Sequence, residues 1–384
     1  MSIDVVALGE RALSASGKKE AALFIRGFIE YPKRLYSGDP YWVPWFDLDM
    51  RRILKRSHPF FLTGSAEFFL AREGDATVGR IMVLDIPAYR KEHGTDQAFF
   101  YFFDFDSEAA ARSLLAAAES WAKGLGRTAL EGPFLFGGTS GTGLLVEGFD
   151  SSPPMTMMLY NRPSVAETYA TLGFRKNYDL ISAHIDTSSF TLNERVARAA
   201  ELVRKRSGLR VLRFRNKKEI LRRADGIADL YNATLADHPE DYPLSPAELE
   251  QVKQDLLSVA RPDLVKILAD GEKVIGFLFA FPDLSPALRK GNGRLDLLII
   301  LRLLTAMRRP RRILVNGMGI LKEYRKRGGN ALLYAELAET ILGSGAEEAE
   351  LVQVAESTDL MLADLETLGG RVSKRYRVFS KPIV

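Results

Sequence analysis

Tyr324-Arg325-Lys326-Arg327-Gly328-Gly329-Asn330-Ala331-Leu332-Leu333 joins an apolar run, Leu314–Leu321, to a segment, Asn330–Leu342, whose apolar residues recur at helical spacing. The spacing predicts a strand, a glycine-containing turn and a helix in that order. The first amides of a helix have no intrahelical acceptor and sit at the positive end of the helix dipole, which makes such a turn a phosphate site. Arg325, Lys326 and Arg327 add positive charge, and Gly328 and Gly329 carry no Cβ to hold the backbone away from an anion. A plain solvated turn has the same composition, so context decides between the two.

That context is duplicated. Phe68–Ala71, the turn Glu73-Gly74-Asp75 and Val78–Val83 read as a hairpin, and Val265–Ala269, Asp270-Gly271 and Val274–Phe279 repeat it. Each half continues with a strand (Phe99–Phe105; Leu314–Leu321), a helix ended by Gly-x-Gly (Glu108–Lys123; Asn330–Leu342) and a further strand (Thr128–Glu131; Ala349–Ala355). A short helix ending at Gly173 or Gly369 and a last strand then close each half. Gly79 and Gly276 are 197 residues apart, and Gly173 and Gly369 are 196 apart. The expectation is two α/β domains, residues 1–186 and 187–384, joined near Asp186. Between these elements the halves differ: the first inserts the Gly/Thr/Ser/Pro-rich Gly132–Pro154, the second Pro282–Arg312.

Composition narrows the function. The chain has 384 residues, a net charge of +4 and no cysteine, which excludes disulfide frameworks, thiolate metal sites and a cysteine nucleophile. The best apolar run, Leu297–Leu301, ends at Arg302, so no membrane span is expected, and the charged first residues do not resemble a signal peptide. A cytoplasmic protein is expected. Basic clusters such as Arg204-Lys205-Arg206 and Arg308–Arg312 lack interleaved aromatics and predict solvated faces rather than a nucleic-acid groove, with the 308–312 group a candidate contact for a ligand phosphate. His58, His93 and His184 have no metal-ligand spacing, so no metal is expected. Ser140 in Gly137–Gly143 does not sit in Gly-x-Ser-x-Gly, which removes the hydrolase reading. The aromatic stretch Tyr41–Phe46 either lines a ligand site or packs an N-terminal extension.

The run Arg-x-x-Gly-x-x-Ala-Leu-Leu after a strand resembles the acyl-CoA loop of the GNAT acyltransferase superfamily, with Arg325 and Gly328 matching and Asn330 where Gly or Ala is usual. The whole chain resembles a bacterial family with two tandem GNAT-like domains. The resemblance implies an α/β (α+β) fold, each domain a mixed, mostly antiparallel sheet flanked by helices. It also implies acetyl-CoA or another acyl-CoA as co-substrate, and a small-molecule or peptide amine as acceptor. An acyl carrier protein presents the same pantetheine arm. The strand before the loop is expected to splay from its neighbour, and Met318, Gly319 and Ile320 are expected to pair with that arm. In the first half the matching stretch holds Asp104, Asp106 and Glu108, so only the C-terminal half is expected to bind the donor.

Acyl transfer from a thioester also needs a base and an acid. The superfamily's Asn and Tyr positions hold Thr358 and Leu365 in the second half. The first half has Tyr169, with Asn161 one place out of register. The base candidates are Glu356, at a strand end beside the expected pantetheine path, and His238, in the acidic turn between two helices where the superfamily binds its acceptor. The leading expectation is an N-acyltransferase moving an acyl group, acetyl first, to an amine. A non-catalytic ligand sensor and a structural or RNA-associated protein are the rivals.

Overall fold

Two hairpins set up the architecture, each turning at a glycine in the left-handed region, Gly74 (φ +60°) and Gly271 (φ +58°). The computed structural model describes residues 2–9, 17–136, 141–153, 158–235, 241–357 and 359–383. In chain order the first half contains β1 (Asp4–Ala7), α1 (Lys18–Leu35), α2 (Asp47–Leu54), β2 (Ser65–Glu73), β3 (Ala76–Asp85), α3 (Pro87–His93), β4 (Gln97–Phe105), α4 (Glu108–Gly124), β5 (Ala129–Gly132), β6 (Leu144–Glu147), α5 (Val165–Thr171) and β7 (Arg175–Asp186). The second half contains α6 (Glu194–Arg206), β8 (Leu209–Leu212), α7 (Lys217–Leu221), α8 (Ala224–Leu235), α9 (Pro246–Val259), β9 (Val265–Asp270), β10 (Lys273–Pro282), α10 (Ser285–Gly291), α11 (Leu297–Arg308), β11 (Arg312–Ile320), α12 (Gly329–Ser344), β12 (Glu348–Ala355), α13 (Asp359–Thr367) and β13 (Arg371–Pro382). The duplicated hairpins, strands and helices therefore form where their periodicities place them.

The two compact units do not follow a contiguous cut at residue 186. One holds Met1–Leu180, Ser285–Ile299 and Lys374–Val384; the other holds Ile181–Leu284 and Ile300–Ser373. Each half was expected to close with its own last strand, and the structure corrects this. Within the first unit β13 pairs antiparallel with β5, from Phe379↔Gly132 to Pro382↔Ala129, and with β6 at Tyr376↔Leu145. Side chains hold it there: Arg377 Nε lies 2.8 Å from Asp179, and Phe379 packs on Tyr169 with ring centroids 5.3 Å apart. Alternation identifies a strand but not its partner, because any strand with free amides on both sides satisfies the ladder equally. The 282–312 insertion also divides: the Asn292-Gly293-Arg294 turn docks on the first unit, with the Gly293 carbonyl accepting from the Asp47 amide at 2.9 Å.

The first unit buries α4 against the sheet through Ala110, Ala111, Leu114 and Ala118, with Phe100, Phe103, Tyr169 and Phe174 forming an aromatic core. The second buries α12 in the same manner, with Leu332, Leu333 and Leu337 on Leu268, Leu278 and Ile313. An α12 face that apolar only persists under cover, so helix and sheet hold each other in place.

Candidate functional site

β11 carries the geometry that matters. Its parallel register with β12 runs from Arg312↔Glu348 to Val315↔Leu351 among the described residues, while on its other side it continues beside β10 to Ile320↔Gly276. Between Leu278 and Ala280 of β10 stands one residue, Phe279, and β11 opposes it with two, Asn316 and Gly317. This is a β-bulge, and Gly317 sits at φ +95°, a backbone region that side chains disfavour. The described ladder with β12 ends at Val315↔Leu351, just before the bulge. Met318, Gly319 and Ile320 lie beyond that point, paired with β10.

Leu321 then donates to the Ile275 carbonyl at 2.9 Å, and a single 3-10 turn, Lys322–Tyr324, leads to the glycines. Lys326 (φ +62°) and Gly328 (φ +80°) are both left-handed, and α12 starts with Gly328 as its N-cap, no side chain capping it and no acidic residue in its first turn. The Leu332 amide bonds the Gly328 carbonyl at 3.2 Å, so the amides ahead of it, including those of Gly329 and Ala331, belong to the turn that has no intrahelical acceptor. Arg325, Lys326 and Arg327 are exposed. Arg325 Nε donates to the Ile320 carbonyl at 3.0 Å, bracing the turn, and the guanidinium of Arg327 lies over the Tyr324 ring at 5.0 Å.

The glycines serve a different purpose from the one composition suggests. A Cβ on Gly328 would come 2.7 Å from Val203 of α6, and one on Gly329 would come 2.6 Å from Leu268 of β9. Both Cα–H vectors face the protein, so these glycines let α12 seat closely on its neighbours. A Cβ on Gly319 would likewise meet Thr234 of α8 and Phe277 of β10 at 2.7 Å.

The candidate proton-transfer residues separate. Glu356 is half-buried immediately after β12, five residues past Leu351, the last β12 residue paired with β11. His238 and Thr358 lie outside the described residues, as does Ser140. Leu365 is buried with Ile181, Ala183 and Val354, a packing position. Asn161 spends its amide on Leu145, accepting from its N–H at 2.9 Å and donating to its carbonyl at 3.0 Å. Tyr169 is wholly buried among aromatic rings, and its hydroxyl has no partner among the described residues. In the 308–312 group, Arg312 is committed to Asp283 (2.7 Å) and Glu350 (2.9 Å), and Arg311 to Glu347 (2.6 Å). Among the described residues no cluster of His, Asp and Glu suits a metal ion.

Sequence reasoning missed Tyr231. It is buried on α8, one turn before Thr234, with its ring 5.7 Å from that of Phe277. Burial, and secondarily the charge of Asp241, pushes its phenol well above the usual tyrosine range, so it stays protonated at neutral pH. Beside it an apolar pocket opens under α8 and α9, lined by Ile227, Tyr231, Val252, Leu256, Phe279 and Phe281 among others. Ile227 and Leu230 share its helix, so spacing alone does not distinguish Tyr231 from a core position.

The first half repeats the scaffold with the opposite chemistry. β4 has its own bulge, Phe102 and Phe103 opposing Ile81, with Phe102 at φ +50°. There, however, the Ser107 side chain accepts from the Ala110 amide at 3.2 Å and caps α4. Asp104 lies 2.8 Å from Arg80 and accepts from Tyr36 at 2.9 Å.

No family model matches the chain. It is 26% identical over 371 residues to Protein YghO of Escherichia coli (strain K12), covering 94% of this chain and 93% of that one. It is 27% identical over 377 residues to the bacterial ceramide synthase of Caulobacter vibrioides (strain NA1000 / CB15N), covering 94% and 95%. Among solved structures, a tandem GNAT protein from the clavulanic acid biosynthesis pathway is similar with a TM-score of 0.56 at 12% identity, over 100% of this chain and 99% of that one. A GCN5-related N-acetyltransferase from Anabaena variabilis (ATCC 29413) is similar with a TM-score of 0.53 at 10% identity, over 100% and 73%. The protein thus has the tandem GNAT fold, a mixed α/β sheet flanked by helices.

Proposed function

We propose that the protein is an N-acyltransferase that takes an acyl group from an acyl-CoA held at the α12 turn and places it on the amine of a long-chain acceptor. The carrying observation is the bulged β11, whose described ladder with β12 ends before the bulge and which runs into an uncapped, cation-flanked helix start. Beyond that ladder β11 amides serve the pantetheine arm, and the Gly328–Asn330 turn with Arg325, Lys326 and Arg327 receives the diphosphate. In the reaction the amine nitrogen bonds the thioester carbon, the C–S bond breaks, and the proton lost by the amine ends on the departing sulfur. Amides on the Met318–Ile320 stretch beyond the bulge are our candidates to polarise the thioester carbonyl, alternate ones facing away from β10. Glu356 is our candidate base, with His238 the alternative, and Tyr231 our candidate proton donor to sulfur, taking the role that Leu365 cannot.

The long-chain reading is supported by the largely apolar lining of the pocket beside Tyr231, which suits an alkyl chain, and by the relative named a ceramide synthase, since a ceramide is the amide of a long-chain amino alcohol. An acyl carrier protein would deliver the same arm. Leu365 in the tyrosine position favours a second reading, a non-catalytic binder of CoA-type ligands. Thiol release from a fixed acyl-CoA with acceptor amines of graded chain length, sphinganine among them, separates these. Release that rises with chain length supports the proposal, binding without release supports the sensor, and no binding removes the site.

A further inference from the structure

We propose that α11 docks the protein onto the surface of an anionic phospholipid bilayer. The helix starts on Asp296, whose carboxylate accepts from the Ile299 amide at 2.9 Å. Ile299 is buried and Leu303 and Ala306 are half-buried, so one apolar stripe already faces the protein. The opposite stripe, where a surface helix ordinarily carries charge, holds Leu297, Ile300, Leu301 and Leu304 at i, i+3, i+4 and i+7. These four are 75%, 43%, 53% and 46% exposed, and Leu298 beside them is 56% exposed. A row of large side chains left in water along a whole helix marks a surface that meets something apolar.

Charge selects the occupant. Arg308 continues the exposed leucine stripe, Arg309 follows it, and Arg294 and Lys290 precede the helix in the chain. All four are exposed, and among the described residues none of them forms an ion pair. An apolar stripe rimmed by unpaired cations is the composition of a helix lying in the headgroup region of an anionic membrane. A second copy of the chain fits poorly. Two such helices packed about a two-fold axis would set Arg308 against Arg308 if parallel, or Arg308 and Arg309 against Arg294 if antiparallel. At 12 residues α11 is about 18 Å long, well short of the roughly 30 Å hydrocarbon core, so it lies on the bilayer and does not cross it. No helix among the described residues is long and apolar enough to cross. The inference rests on α11 alone and holds whichever acceptor the enzyme uses.

Sedimentation of the full chain with vesicles of phosphatidylcholine, with and without phosphatidylglycerol, tests it. Binding to the phosphatidylglycerol vesicles that weakens with salt is expected. The triple variant Leu297→Ser, Leu301→Ser, Leu304→Ser should lose at least about tenfold in partitioning per leucine removed. Arg308→Glu with Arg309→Glu should abolish the preference for phosphatidylglycerol. An unchanged melting temperature in both variants, and an unchanged acyl-CoA affinity in the leucine variant, show that each is folded. Wild-type protein that ignores both vesicles overturns the proposal, as does a triple variant that sediments like wild type. A wild-type dimer that the leucine changes convert to monomer, without vesicle binding, assigns the stripe to a second copy and likewise overturns it.

Discussion

Asn330→Asp tests the α12 turn by giving stability and ligand affinity opposite signs. The first turn of α12 has no acidic residue and its N-cap Gly328 offers no side-chain acceptor. A carboxylate there satisfies the helix dipole and is worth roughly 0.3–1 kcal/mol to the fold. For a unit of this size that corresponds to a rise in Tm of about 1–3 °C. The substitution is isosteric and replaces an NH2 donor with an acceptor oxygen. A bound diphosphate reverses the balance. Two unit charges about 4 Å apart repel by about 1 kcal/mol even in bulk water, so a diphosphate bearing about two charges loses about 2 kcal/mol. That weakens Kd about 30-fold, reduced toward tenfold by physiological salt. Differential scanning fluorimetry with and without palmitoyl-CoA, and calorimetry for Kd, read both effects. A higher apo Tm with acyl-CoA affinity within about twofold of wild type would refute the reasoning, because the turn would then be an ordinary helix start.

Gly328→Ala should lower Tm by several degrees without any ligand present, since φ is +80° and the new Cβ lies 2.7 Å from Val203, a cost of about 1–3 kcal/mol. Loss of binding in that variant therefore reports on the fold and not on the phosphate. Burial raises Glu131 from 4.5 to about 7. Its folded value exceeds its unfolded one, so the stability it confers is full below pH 4.5 and is lost as pH rises through 7. Glu131→Gln should thus melt higher than wild type at pH 8 and equal to it at pH 4.5. The two tyrosines should diverge: Tyr231→Phe should cut kcat about 100-fold with KM unchanged, whereas Tyr169→Phe should leave turnover intact and hold or raise Tm by removing an unpartnered buried hydroxyl.

Apolar runs bounded by turn residues made the duplicated elements legible. Strands β2, β3, β9 and β10 are buried over consecutive residues on either side of Gly74 and Gly271, α4 shows a helical stripe, and α12 is buried continuously from Ala331 to Leu337. Direction and partnership were not legible. Gly328 and Gly329 signal a tight turn, yet only coordinates reveal that their missing Cβ atoms face Val203 and Leu268. The pattern of β13 names a strand without saying that Arg377 and Phe379 fit the first unit. Leu297–Leu301 reads as an apolar run too short to span a membrane, and its composition does not reveal that Ile299 is buried while its neighbours are exposed. Tyr231 shares its spacing with Ile227 and Leu230, and nothing in spacing distinguishes a phenol that packs from one that borders a pocket. The nearest available signal was its place on the helix preceding the acidic turn at Asp241.

The contrast between the two halves sets the proposed anion site at one helix start against a closed one at the other. Both have a bulged strand running into a helix, so the backbone scaffold is common to them. At α4 the position is filled from within: Ser107 takes the Ala110 amide, Asp106 accepts from Tyr31 at 3.1 Å, and Asp104 holds Arg80. Arg80 is only 6% exposed and also donates to the Phe28 carbonyl. Removing Asp104 to admit a phosphate would leave that guanidinium buried without its counter-charge, a loss on the order of 3–5 kcal/mol. No single substitution therefore reopens the first site, because its carboxylates have become part of the fold. At α12 Arg325, Lys326 and Arg327 are exposed and no side chain caps the helix start, so the proposed site lacks the buried carboxylates that close the first one.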